Sequence, residues 1–146
     1  MNIEIILPIF YMLCLTVAVV LFSTLIRIKE IYINDKKNVV SGNEMKHPPF
    51  NQGSDVLKNA QRNLVNLFEF PIFFYIVCII IVITDKADEQ FIRLAYWFFY
   101  LRLAHSIYHI FFNQLVFNNG LPLRAIIWVP SIVIIIWMWV RLISII

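Results

Sequence analysis

The sequence predicts an all-α integral membrane protein, a bundle of four spanning helices. Three observations predict it. Of 146 residues, 61% are hydrophobic and only 14% charged, against roughly half and a quarter in soluble domains. Four long apolar stretches are separated by polar segments, a long first loop and shorter later connections. The few polar residues inside those stretches recur at spacings of three and four, the signature of one helix face.

A spanning helix needs about 20 mostly apolar residues. The first candidate, "IILPIFYMLCLTVAVVLFSTLI" (5–26), carries no charge. It lacks the basic start and small-residue cleavage site of a secretory signal and reads as a retained span, about 5–27. Its helix is expected to run on through Arg27 to Asn34. The second span covers about 57–84, with Ser54 or Asp55 as N-cap. The third covers about 90–115, capped by Asp88 after the polar turn "TDKAD". The fourth covers about 122–144, opening after "NNGLP" with Pro122 at a favoured first position and Pro130 as a site for a kink. The whole chain, 1–146, forms one domain.

Lysine and arginine in the loops set the orientation. Arg27, Lys29, Lys36, Lys37 and Lys46 flank or fill the first loop, and Arg124 lies beside the third. Both loops are expected on the cytoplasmic side, with both termini outside; Arg141 votes the other way. The formal net charge of +3 follows from these loops beside lipid and implies no nucleic-acid partner. Cys14 and Cys78 both fall inside apolar runs and read as small buried hydrophobes. Trp137 and Trp139 suit an interface belt, and "YWFFY" (96–100) reads as lipid-facing or inter-helix packing.

Two polar stripes carry the candidate site. Asn59, Arg62, Asn66 and Glu69 share one face of the second helix. Arg102, His105, His109 and Asn113 share one face of the third, with Ser106 beside them. Both lie in the cytoplasmic halves of their helices, and Glu69 and Arg102 come to matching depths, roughly 20 Å in at about 1.5 Å per residue. A charge at that depth faces the bundle interior or a wet cavity and pairs, so Glu69 is expected to pair with Arg102. Arg124, at the start of the fourth helix, adds a cation where a helix N-terminus already favours anions. Arg27 or Lys29 could join the pocket. Arginine forks bind carboxylates and a glutamate takes an ammonium, so the set suits a zwitterionic ligand.

Other chemistries have little support. His105 and His109 at i, i+4 could share a metal or haem, but no cysteine or carboxylate cluster accompanies them, and no metal is expected. There is no glycine-rich phosphate loop and no Cys-x-x-Cys. Four spans without a broken-helix pair argue against a transporter. "MKHPPFNQG" (45–53) reads as a surface loop near the pocket mouth.

The stretch "RNLVNLFEFP" resembles the second-helix signature of the MAPEG family, the membrane-associated proteins in eicosanoid and glutathione metabolism. That signature is Arg-x3-Asn-x2-Glu followed soon by proline, met here by Arg62, Asn66, Glu69 and Pro71. "FFYLRLAHSIYHIFFN" and "LRAIIWV" resemble the family's third helix and fourth-helix start. The resemblance spans nearly the whole chain and is nearest to the bacterial branch. It implies a homotrimer of four-helix bundles in the inner membrane, with glutathione as co-substrate between subunits near the cytoplasmic side. It implies glutathione contacts for Arg62, Asn66 and Glu69, extended to Arg102, His105 and His109 on the facing stripe. Arg124 would be the catalytic residue, stabilising the glutathione thiolate, which is the nucleophile. Lipophilic electrophiles would arrive from the bilayer for transfer or peroxide reduction. Phe70 stands where eukaryotic members have tyrosine, and His105 and His109 where they have tyrosines. A non-catalytic member binding another small anion or a lipid head group is the alternative reading.

Overall fold

A computed structural model describes residues 3–36, 46–48, 50, 52–112 and 123–146; the side chains of residues 3, 33–36, 123 and 124 lie outside the description. After a single 3-10 turn (Ile3–Ile5) the chain forms α1 (Ile6–Lys36), α2 (Asp55–Glu69), α3 (Pro71–Ile83), α4 (Glu89–Phe111) and α5 (Leu123–Ile145). No strand occurs among the described residues. α2 and α3 are two halves of one rod, so the architecture is a four-helix bundle. Three rods, Ile6–Tyr32, Asp55–Ile83 and Ala125–Ile145, are long and apolar enough to cross a membrane. α4 has 23 residues, enough length for a bilayer at about 1.5 Å each, but its arginines and histidines keep it out of that class.

The helix starts are set locally. Ser54, in extended conformation, accepts a hydrogen bond from the Leu57 amide at 3.3 Å and caps α2. Asp88 does the same for α4, accepting from the Phe91 amide at 2.9 Å. Both caps satisfy donors that the first turn leaves without a helical acceptor. The rod breaks at Phe70 because Pro71 opens α3 at its first position. A proline there has no N–H to give the carbonyl of Leu67.

α4 is the centre of the bundle, packing on α1, α2 and α5. Its inward stripe begins apolar, with Phe91, Ile92, Ala95 and Phe98 buried. Phe98 stacks on Phe74 of α3, with centroids 4.4 Å apart and planes 21° apart. The outer faces are apolar as well: Leu13, Leu21, Leu25, Ile79, Val133 and Ile143 are all more than half exposed. That pattern belongs to a bundle whose solvent is lipid.

Both ends of the bundle are tied. At the α4 start, the Arg141 guanidinium of α5 donates to both Asp88 carboxylate oxygens, one bond measuring 3.0 Å, and lies 4.3 Å over the Phe91 ring. The topological vote of Arg141 is thus spent on a structural clamp. This hydrogen bonding holds the Asp88 carboxyl below the usual carboxylate range.

At the other end, the described residues 46–48, 50 and 52–54 belong to a strap docked on the last turns of α1. Arg27 donates to the Lys46 carbonyl at 3.1 Å and sits 4.7 Å over the Phe50 ring. Glu30 accepts from the Ser54 amide at 3.0 Å and from the Ser54 hydroxyl. Phe50 has φ of 52°, a left-handed conformation that bulky residues rarely adopt. Burial of its ring with Leu57 against Ile26 and Ile31 offsets that strain. Gly53 is required in this corner. A Cβ there would meet Leu57 Cδ2 at 2.9 Å and the Phe50 carbonyl oxygen at 3.1 Å.

Candidate functional site

Towards the strap end the α4 stripe turns polar. Arg102, His105, Ser106 and His109 are each 3% exposed or less. They face α2, which runs antiparallel, and three hydrogen bonds join the two helices like rungs. Arg102 Nη2 donates to the Asn66 carbonyl at 2.8 Å. The Ser106 hydroxyl donates to Asn63 Oδ1 at 3.4 Å. Asn59 Nδ2 donates to the Ile110 carbonyl at 3.5 Å. Each step along the ladder is about one helical turn on both helices. The His105 and His109 rings lie side by side, centroids 5.6 Å apart.

The third-helix stripe therefore faces inward as the sequence predicts, while the second-helix stripe divides. Asn59 and Asn66 are half-buried; Arg62 and Glu69 are exposed. The expected Glu69–Arg102 ion pair does not form. Arg102 is held instead by a backbone carbonyl, and neither Arg62 nor Glu69 has a hydrogen bond or ion pair among the described residues. The reason is rotation. α2 buries Leu57, Ala60, Asn63 and Leu67, and Glu69 lies about a third of a turn around from Asn63 at ~100° per residue. Asn113 and the side chain of Arg124 lie outside the described residues; the Arg124 backbone is at the second position of α5. Lys29 is exposed, and Arg27 is engaged with the strap.

Asn63 is the residue that the spacing argument missed. It is fully buried, and its position four residues after Asn59 was the available signal. Among the described residues, Asn63 Nδ2 and two Arg102 nitrogens, Nε and Nη1, lack a hydrogen-bond acceptor. The seam is thus rich in donors and carries a buried positive charge.

Beside the seam, a cleft of about 200 Å³ is lined by Asn66, Glu69, Phe70, Phe73 and Trp128. It is polar at the α2 end and aromatic elsewhere. Phe70 packs against Trp128 with centroids 5.9 Å apart. Trp139 Nε1 donates to the Phe73 carbonyl at 3.3 Å, fixing α5 to the start of α3. Arg102 acts on this cleft from behind: it holds the Asn66 carbonyl in the α2 turn that carries Glu69. No group of three histidine, cysteine or acidic side chains placed to hold a metal ion occurs among the described residues.

An all-helical bundle with three strongly apolar rods, a fourth rod bearing a buried polar stripe, and an α2 motif opening on a cleft defines a polytopic membrane protein. The chain belongs to the MAPEG family, whose family model matches residues 5–144. Neither the curated proteins nor the solved structures gave a match.

Proposed function

We propose that the protein is a glutathione-dependent transferase or peroxidase of the inner membrane, acting on lipophilic electrophiles. α4 serves as the fourth span, the strap end faces the cytoplasm and both termini lie outside. Three copies assemble so that the exposed face of α2 meets a neighbour, and glutathione lies in that junction.

One observation carries the reading. Arg62 and Glu69 stand exposed on α2 without partners among the described residues, flanked by exposed Val65 and Phe68. Charges on an otherwise apolar helix surface in a membrane need a partner. The two are seven residues apart, about 10 Å along the helix axis. That is about the length of an extended tripeptide, and glutathione is a tripeptide with two carboxylates and an amine. Arg62 suits a carboxylate and Glu69 the amine. Arg124 is the proposed thiolate-stabilising cation, with Arg102 positioning Asn66 and Glu69. His105 and His109 continue the buried polar stripe of α4 from Arg102 towards the level of Asn59.

Calorimetry of glutathione binding to the detergent-solubilised protein tests this. Saturable binding is expected in the wild type and its loss in Arg62→Ala and Glu69→Ala. A well-folded wild type that binds no glutathione overturns the reading. The second reading, a non-catalytic member binding another small anion or a lipid head group, draws on His105 and His109. At the positions where the resemblance has tyrosines, this chain has imidazoles buried in the α2–α4 seam. Binding without thiol ionisation would favour it, read as no rise in thiolate absorbance on complex formation.

A further inference from the structure

The strap end of the bundle carries a charge pattern that the glutathione reading does not use. α1 has 31 residues, about 46 Å of helix at 1.5 Å each, against a hydrocarbon core of about 30 Å. Counted from Ile6, the core ends near Leu25 and the phosphate level falls within the next two turns. Leu25, Ile28 and Tyr32 are 66%, 58% and 62% exposed. They share one face with exposed Lys29, while Arg27 and Glu30 turn to the opposite side to hold the strap. An apolar stripe ending in a tyrosine and a lysine is the arrangement that seats a helix at the headgroup level.

Among the described residues, the nearby carboxylates of Glu30 and Asp55 are already committed. Glu30 accepts from Ser54, and Asp55 pairs with Lys58 at 3.4 Å. The Arg27 bond to the Lys46 carbonyl brings the exposed Lys46 of the strap to the same level. The Lys29 and Lys46 ammonium groups have no carboxylate partner among the described residues. We infer that this collar binds anionic phospholipid of the adjoining leaflet, with Lys29 and Lys46 taking headgroup phosphates on two sides of α1. Its selectivity is for net negative headgroups over zwitterionic ones, because a zwitterionic headgroup brings its own ammonium.

The test is a titration of the purified protein in neutral detergent with short-chain phosphatidylglycerol or phosphatidylcholine, following the thermal unfolding midpoint. Phosphatidylglycerol is expected to raise the midpoint at lower concentration than phosphatidylcholine. Lys29→Gln and Lys46→Gln should each weaken its effect about fivefold, the factor for one basic side chain at such a surface. Lys29→Arg should keep it, which separates charge from fold. Equal response to the two lipids overturns the inference, as does an unchanged titration in the two Gln variants. Competition by glutathione would also overturn it, by assigning these lysines to the peptide site; failure of glutathione to bind at all would leave the lipid titration unaffected.

Discussion

The two halves of the α4 inner face differ in everything except burial. From Phe91 to Phe98 the face is apolar and packs by shape, with Phe98 stacked on Phe74. From Arg102 to His109 it is polar and held by hydrogen bonds to α2. One periodicity runs through both. In water, the first half would bury itself and the second would stay out. In lipid the apolar half gains no hydrophobic driving force, because acyl chains are as apolar as phenylalanine, and it holds by close contact. The polar half is excluded from lipid and goes inward for that reason. The same helix is thus ordered by packing at one end and by avoidance of hydrocarbon at the other.

This difference makes the halves respond oppositely to substitution. The largest effect is expected from Phe98→Ala, which removes a buried ring from a stacked pair; stability should fall by about 3 kcal/mol, seen in a denaturant or thermal midpoint. Arg102→Met should behave differently. It removes buried donors that lack acceptors, so stability should stay within about 1–2 kcal/mol of wild type. Glutathione affinity should still fall at least tenfold, in line with about 1.5–3 kcal/mol for a hydrogen bond from a charged group. A joint collapse of stability and binding would show that the polar half is scaffold alone.

Ser54→Ala removes an N-cap and the Glu30 contact, and should cost about 1 kcal/mol, read from faster amide exchange in the first turn of α2. Asp88→Asn should be the smallest change, about 0.5–1 kcal/mol, because the clamp is partly open to solvent. Its pH signature is distinctive. The Asp88 carboxyl titrates below its ordinary value, so the clamp contributes fully above about pH 4. It fades as pH falls through the lowered folded-state value. The Asn variant should lack that acid-side loss while matching the wild-type pH profile near neutrality.

Local chemistry made much of this legible in the sequence. The Ser54 and Asp88 caps depend on residues a turn away, and the α4 stripe repeats cleanly at 102, 105, 106 and 109. α2 was harder, because two readings fit the same helical period. Asn59, Arg62, Asn66 and Glu69 make one stripe; Asn59, Asn63 and Asn66 make another, and the second faces α4. The rule that membrane charges turn inward favoured the first, but it does not say whether the cover comes from the same chain. The ties between distant residues were beyond reach: Glu30 with Ser54 and Asp88 with Arg141 have no local signature, and Arg141 counted towards orientation.

With α4 as the proposed fourth span, its shortfall in apolarity bears on how the protein enters its membrane. A segment with Arg102, His105 and His109 gains little by leaving the translocation channel alone, since each charged side chain at mid-span adds about 3 kcal/mol to insertion. Its polar partners, Asn59, Asn63 and Asn66, are synthesised some forty residues earlier on a rod that qualifies for the bilayer by itself. Chain order therefore presents α4 with a receptive neighbour at the moment it emerges. Reversing that order by circular permutation would present the needy helix before its host.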